Sequence, residues 1–269
     1  MARIEVKYGS PTVTTRAGMS HTKVRHHAAE MAGLRKAGHE IVATASGATV
    51  AGRALHRIAE RKRLLKPEER PREEEETDIV KRGFAGKGSA QAYMAFHVAL
   101  ARHDIETAQV PVTSHQIEDP EEGEALREIL LHYLSIGTIP VANGNDAVSR
   151  EGITDLNKSR DNDEVAAHIA ELITVDHLCM LTNEDGLLDG SGLVVPEIGP
   201  HNIEWARSLI GPNGDGESGG MRSKLDAGFK TAGAGTGTIV HIANANAGLQ
   251  DIIAGNVGTH IPPHNLSET

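Results

Sequence analysis

Asn213-Gly214-Asp215-Gly216-Glu217-Ser218-Gly219-Gly220-Met221-Arg222-Ser223-Lys224 is a glycine-rich loop that runs into a helix. A lysine follows four residues after the last glycine. Glycines let backbone N–H groups come close to an anion, and a helix N-terminus adds partial positive charge. A lysine one turn in adds a full charge. Such a segment suits phosphate, although the G-x-x-x-x-G-K-[ST] order of a P-loop is absent. Taken alone, a Gly/Asn/Asp-rich stretch is equally a plain surface turn. It gains weight from a second lysine–glycine turn at the other end of the chain, Lys7-Tyr8-Gly9-Ser10.

Between these turns, short apolar runs alternate with helical patterns. The spacing predicts strands over Arg3 to Val6, Glu40 to Thr44, Ala108 to Thr113, Thr138 to Ala142, His177 to Leu181 and Gly237 to Ile242. It predicts helices over His21 to Ala37, Ser89 to Arg102, Glu122 to Ile136, Glu164 to Thr174, Ser223 to Ala232 and Leu249 to Ala254. This alternation implies an α/β fold with a mostly parallel sheet covered on both faces. Ligands bind such sheets at the carboxyl ends of the strands. Gly9, Ser46-Gly47-Ala48 and Asn143-Gly144-Asn145-Asp146 all follow predicted strands, so they point to one shared site.

Bulk properties narrow the function. The chain has 269 residues and a net charge of −10, which argues against a nucleic-acid backbone as partner. Aromatic residues make up 3%, too few for base-stacking platforms, so aliphatic packing must build the core. The single cysteine, Cys179, excludes an internal disulfide, fits a reducing cytoplasm and reads as a core residue of a buried strand. Neither a signal peptide nor a long apolar span is read. Glu60 to Arg82 is nearly all charge, with Pro67 and Pro71 inside it. It reads as a solvated excursion, partly disordered or a hairpin, with a flap or oligomer contact as the alternative.

Each candidate site residue has a plain reading beside the functional one. Lys7 at a strand end is commonly solvent-facing. Ser46-Gly47-Ala48 and the nearby Ala51-Gly52-Arg53 leave room for a ligand, or simply pack tightly. Asn143 to Asp146 and Arg160-Asp161-Asn162-Asp163 can receive an ammonium group, hold a metal through water or orient lysines; they can also cap and turn. Thr182-Asn183-Glu184-Asp185-Gly186-Leu187 is a turn or a nucleotide-facing loop. The 15 histidines are scattered, and no zinc-binding set is read among them. G-x-S-x-G is absent, so hydrolase chemistry has no support.

The order of these motifs resembles the amino-acid kinase family, and within it the glutamate 5-kinases. Six motifs carry the resemblance, from Lys7-x-Gly9-Ser10 to Gly219-Gly220-Met221-x-Ser223-Lys224. The family implies a three-layer αβα sandwich in a single domain, with a substrate-binding lobe over about 1–155 and a nucleotide-binding lobe over about 156–269. It implies phosphoryl transfer from ATP, with Mg²⁺, to an amino-acid-like acceptor such as the side-chain carboxylate of L-glutamate. Carried over, Lys7 and Lys224 would neutralise the moving phosphoryl group and Asp163 would hold both lysines. Gly9, Ser10, Gly219 and Gly220 would donate N–H groups to phosphates. Ser46, Gly47, Ala48, Asp146 and Asn162 would hold the acceptor. Thr182, Asn183 and Met221 would face the nucleotide. A homodimer or homotetramer in the cytoplasm, away from membranes and nucleic acid, is also implied.

The chain departs from that pattern in places. Gly144 stands where glutamate 5-kinases usually carry Glu, Asn183 where they carry Asp, and Glu217-Ser218 where they carry Gly-Thr. The charged segment matches poorly, and the chain ends at Thr269 without room for the C-terminal RNA-modification-type domain of many members. Two other readings therefore stay open: a kinase of the same fold acting on another amino acid, small phosphate or phosphonate, and a non-catalytic binding regulator.

Overall fold

The computed structural model describes residues 1–61, 77–148, 162–210 and 220–265. Its main sheet has seven strands: β1 (Arg3–Tyr8), β4 (Glu40–Ala45), β5 (Thr107–Val112), β6 (Ile139–Gly144), β7 (His177–Thr182), β8 (Ile239–Asn244) and β9 (Thr259–Ile261), in the order β5-β6-β4-β1-β7-β8-β9. All pairings are parallel except β8 with β9, which is antiparallel. A short hairpin, β2 (Thr14–Thr15) with β3 (Gly18–Met19), stands apart.

Strand alternation sorts side chains onto two faces. Ile4, Val6 and Tyr8 of β1 and Ile41, Ala43 and Ala45 of β4 enter one core with α2 (His21–Lys36), α4 (Asp78–Ala101) and α10 (Leu249–Ile253). Val42, Leu178, Met180, Val240 and Ile242 enter the opposite core with α6 (Pro120–Ser135), α7 (Asn162–Leu172), α8 (Ile203–Leu209) and α9 (Met221–Ala232). The result is the expected αβα sandwich. The core is aliphatic, as the low aromatic content requires.

The structure corrects several expectations. Helix α3 (Ala48–Arg61) runs through Ala51-Gly52-Arg53, which the sequence left as ligand-facing or packing residues. It is packing: a Cβ on Gly52 would lie 1.9 Å from the Phe84 carbonyl oxygen, and one on Gly88 1.9 Å from that of Ala48. Glycine lets α3 and α4 cross backbone to backbone. That crossing also explains why α4 begins 11 residues before the predicted Ser89, through glycines that discourage an isolated helix. Thus both ends of the supposed excursion, Glu60-Arg61 and Asp78 to Arg82, are helical, whereas its acidic run lies outside the described residues.

Candidate active site

The strand order reverses around β1, with β4 on one side and β7 on the other, so the carboxyl end of β1 lies at a switch point. Lys7 sits there, on the face covered by α7 and α9. Asp163 is in the first turn of α7, and Lys224 in the first turn of α9. Lys7 Nζ lies 2.5 Å from Asp163 Oδ1, and Lys224 Nζ donates to Asp163 Oδ2 at 3.1 Å. All three are buried, Asp163 completely. Burial of two ammonium groups around one carboxylate leaves a net positive charge at low dielectric, where it acts strongly on an incoming anion.

The same strand carries an unexpected acid. Glu5, two residues before Lys7 on the same face, is fully buried, and neither carboxyl oxygen makes a hydrogen bond of normal geometry. Burial pushes its carboxyl up to about 8, with the Thr44 hydroxyl easing ionisation somewhat. Nothing in its sequence setting distinguished it, because a lone acid in a strand normally faces solvent.

Glycine turns close around the lysines. A Cβ on Gly9 would lie 3.5 Å from the Leu181 carbonyl oxygen and 4.0 Å from Lys7 Nζ, so this turn lies against both β7 and the charge centre. Gly9 caps α1 (Ser10–Val13), of which Ser10 is the first residue. Gly220 caps α9 and Met221 opens it, while Gly219 lies outside the described residues. Beside β1, the Ser46 N–H donates to the Tyr8 carbonyl at 3.0 Å. Gly47 has φ +103°, and a Cβ there would stand 2.8 Å from Thr14 Cγ2, so both conformation and space demand glycine; Ala48 then opens α3.

At the end of β6 the second Asn/Asp cluster meets the first. Asn162, the first residue of α7, accepts the Gly144 N–H at 2.9 Å through Oδ1. A Cβ on Gly144 would lie 3.0 Å from Asp146 Oδ1 and 3.6 Å from Asn162 Oδ1. Gly144, which sequence reasoning treated only as a departure, is therefore what lets both side chains turn in over the strand end. Asn143 Nδ2 donates to the Ala45 carbonyl, tying this loop to β4. A cleft of about 210 Å³ opens here, lined by Ser89, Gln109 and Asn143 to Asp146 among others.

A larger cleft, about 530 Å³, lies beyond β7 and includes Asp185, Asn244 and His260. Asn244 Nδ2 donates to the Asn183 carbonyl at 3.0 Å and to Asp185 Oδ1 at 2.9 Å. Leu187 N–H donates to Thr259 Oγ1 at 2.8 Å. The loop after Thr182 is thus pinned by β8 and β9. Asn244 and Thr259 carried no sequence signal of their own. The geometry gathers Lys7, Asp163 and Lys224 at one point, while Asp146 with Asn162 lies at the end of β6 and Thr182 with Asn183 at the end of β7.

A buried lysine–aspartate–lysine cluster thus stands at the switch point of an αβα sheet. Residues 3–244 match the model described as the amino acid kinase family. The chain belongs to the amino acid kinase family. Among curated relatives, the glutamate 5-kinase of Burkholderia mallei (strain SAVP1) is 33% identical over 267 residues, spanning 96% of this chain and 67% of that protein. The glutamate 5-kinase of Burkholderia lata is 32% identical over the same span. Carbamate kinase from Giardia lamblia bound to AMP-PNP matches with a TM-score of 0.67 at 14% identity, covering 97% of this chain and 98% of that one. N-acetylglutamate synthase from Neisseria gonorrhoeae, complexed with coenzyme A and L-arginine, matches with a TM-score of 0.63 at 15% identity over 98% of this chain and 62% of that one. These two share the fold.

Proposed function

We propose that this kinase transfers the terminal phosphoryl group of ATP to the side-chain carboxylate of L-glutamate, giving γ-glutamyl phosphate. The observation that carries the reading is Asp163 held between Lys7 and Lys224 at 2.5 and 3.1 Å. The similarity to glutamate 5-kinases over 96% of the chain supports the acceptor.

Phosphoryl transfer depends on positioning and charge neutralisation more than on a covalent nucleophile. The acceptor carboxylate is already ionised near neutral pH and needs no base. One of its oxygens attacks the γ-phosphorus, the bond to the β–γ bridging oxygen breaks, and ADP leaves. Lys7 and Lys224 would stabilise charge on the moving group and on the leaving oxygen. Asp163 fixes the spacing of the two ammonium groups and receives none of the substrate's protons. N–H groups of Gly9, Ser10 and the Gly219-Gly220 turn would donate to phosphate oxygens. Ser46, Gly47, Ala48, Asp146 and Asn162 would hold the acceptor, with Asp146 facing its ammonium group. Thr182, Asn183 and Met221 would line the nucleotide. The halves on either side of about residue 155 would supply acceptor and nucleotide contacts respectively, within one domain.

Magnesium normally accompanies ATP and adds positive charge to its phosphates. Among the described residues, no three His, Cys, Asp or Glu side chains converge on a cation position, and the Asp163 carboxylate is engaged by lysines. These residues do not form a magnesium cage, so the ion would be carried by phosphate oxygens and water.

Gly144 favours keeping a second acceptor in view, because the turn there offers Asp146 as its carboxylate and no side chain of its own. The test is ADP release from ATP and Mg²⁺ with L-glutamate, L-aspartate, N-acetylglutamate and small phosphates or phosphonates. Hydroxylamine traps any acyl phosphate as a hydroxamate. Glutamate-dependent hydroxamate supports the proposal; turnover with another acceptor keeps the lysine chemistry and replaces the substrate. Silence from folded protein favours a binding role.

A further inference from the structure

Three of the histidines that look scattered in sequence stand in a row across three adjacent strands. His177 opens β7, His241 lies within β8 and His260 within β9. His177 Nδ1 is 3.0 Å from His241 Nε2, and His241 Nδ1 is 2.8 Å from His260 Nδ1. Two ring nitrogens at such distances need one proton between them, never two and never none. The end of the row fixes its direction. Gly255 lies beside the other nitrogen of His260, a Cβ there standing 4.0 Å from Nε2, and its backbone favours a proton on that nitrogen. His260 Nδ1 must then accept, so His241 donates from Nδ1. His241 Nε2 must accept, so His177 donates from Nδ1. Every ring is neutral, and each contact has one proton.

This row is joined to the loop after β7. Thr259, next to His260, accepts the Leu187 N–H, and a Cβ on Gly186 would lie 2.7 Å from Thr259 Oγ1. The His260 backbone also donates to the Pro196 carbonyl and accepts from the Ile198 N–H, both at 2.9 Å. At the other side Asn244, three residues after His241, holds Asn183 and Asp185. We propose that the His177–His241–His260 row is a positioning device: its neutral, directional hydrogen bonds fasten β9 to β8 and so hold the Thr182–Leu187 loop in place. The link to catalysis rests on the reading that this loop faces the nucleotide.

Acid must break the row from within. A second proton on His241 or His260 leaves two N–H groups facing each other, whereas His177 can gain a proton on its outer nitrogen without losing its bond. The charged groups acting on the row sit at its ends. Asp176 and His39 act on His177, Arg3 lies beside Asp176 through its N–H, and Glu197 acts on His260. Only the two neighbouring imidazoles act on His241, and burial pushes it down to about 3.

The experiment is nitrogen-15 NMR of the whole chain with labelled histidine, read alongside the Leu187 amide from pH 7.5 to 3. The expected result at neutral pH is an Nδ1–H tautomer at His177 and His241 and an Nε2–H tautomer at His260. Loss of that pattern on acidification should shift the Leu187 amide. A doubly protonated His241 at pH 7, or a Leu187 amide indifferent to the row's titration, overturns the proposal. In parallel, the KM for ATP should rise only over the pH range in which the NMR shows the row breaking, by up to about tenfold per pH unit, the limit for one proton, while kcat changes little. His241→Gln supplies a non-titrating acceptor and donor, so it should keep neutral-pH activity and flatten that rise. If Leu187 follows the row but the KM for ATP does not, the device stands and the nucleotide role of the loop fails.

Discussion

At the end of β1, two ammonium groups and a carboxylate are sealed together, with Lys7, Asp163 and Lys224 each a few per cent exposed or less. At the end of β6, Asp146 and Asn162 are only partly buried, and a bare glycine makes the room for them. The first region cannot lose its carboxylate without stranding two ammonium groups in low dielectric. The second can exchange side chains at the cost of a hydrogen bond or two. In this chain Lys7, Asp163 and Lys224 are all present, while the loops around them depart from the glutamate 5-kinase pattern at Gly144, Asn183 and Glu217-Ser218.

The largest effect should come from stranding the lysines. Asp163→Ala leaves two buried ammonium groups without a carboxylate and should lower stability by about 3–5 kcal/mol, read as a shift in the urea midpoint. Lys224→Met is the sharper contrast, since Lys7 still pairs Asp163 and the fold should survive. Turnover in that variant should fall by about 10²–10³-fold, the effect of removing one preorganised donor to transition-state charge. Unchanged turnover would remove the lysine mechanism.

The histidines test whether acid sensitivity lies outside both regions. Burial lowers His27 to about 4 and His241 to about 3 in the folded chain, against about 6.5 unfolded. Below pH 6.5 the unfolded state binds more protons, so stability should fall as pH drops from there toward the folded values. Each group should cost on the order of 1 kcal/mol by pH 5.5. His241→Gln should remove its share of this slope in equilibrium unfolding.

The smallest change is expected at the turn after β6. Gly144→Ala pushes on Asp146 and Asn162 and should raise the KM for the acceptor by roughly fivefold, about the worth of one hydrogen bond. The KM for ATP should stay the same. A matching rise in both would mean that the two regions are not separable.

Much of this contrast was legible in the sequence because it rests on local chemistry. Lys7-x-Gly9 at a strand end and Lys224 just inside a helix after glycines stood out as local motifs, although each alone also read as a plain turn or a solvent-facing lysine. Strand positions followed from apolar runs, and the mostly parallel sheet from their alternation with helices. What stayed hidden depends on distance in space. Helices α3 and the first half of α4 exist because Gly52 and Gly88 meet carbonyls of the partner helix, and glycine in isolation argues against helix. Gly144 acquires meaning only when Asn162, 18 residues later, reaches its N–H. The histidine row is invisible for the same reason, since its members come from strands 64 and 19 residues apart.

The most direct test of the central claim is trapping of the product of ATP, Mg²⁺ and L-glutamate with hydroxylamine, in the native chain and in Lys224→Met. The account predicts glutamate-dependent hydroxamate matched by ADP release in the native chain, and loss of both in the folded variant. Hydroxamate formed equally well by the variant, or glutamate-dependent ADP release with no trappable acyl phosphate, would contradict it.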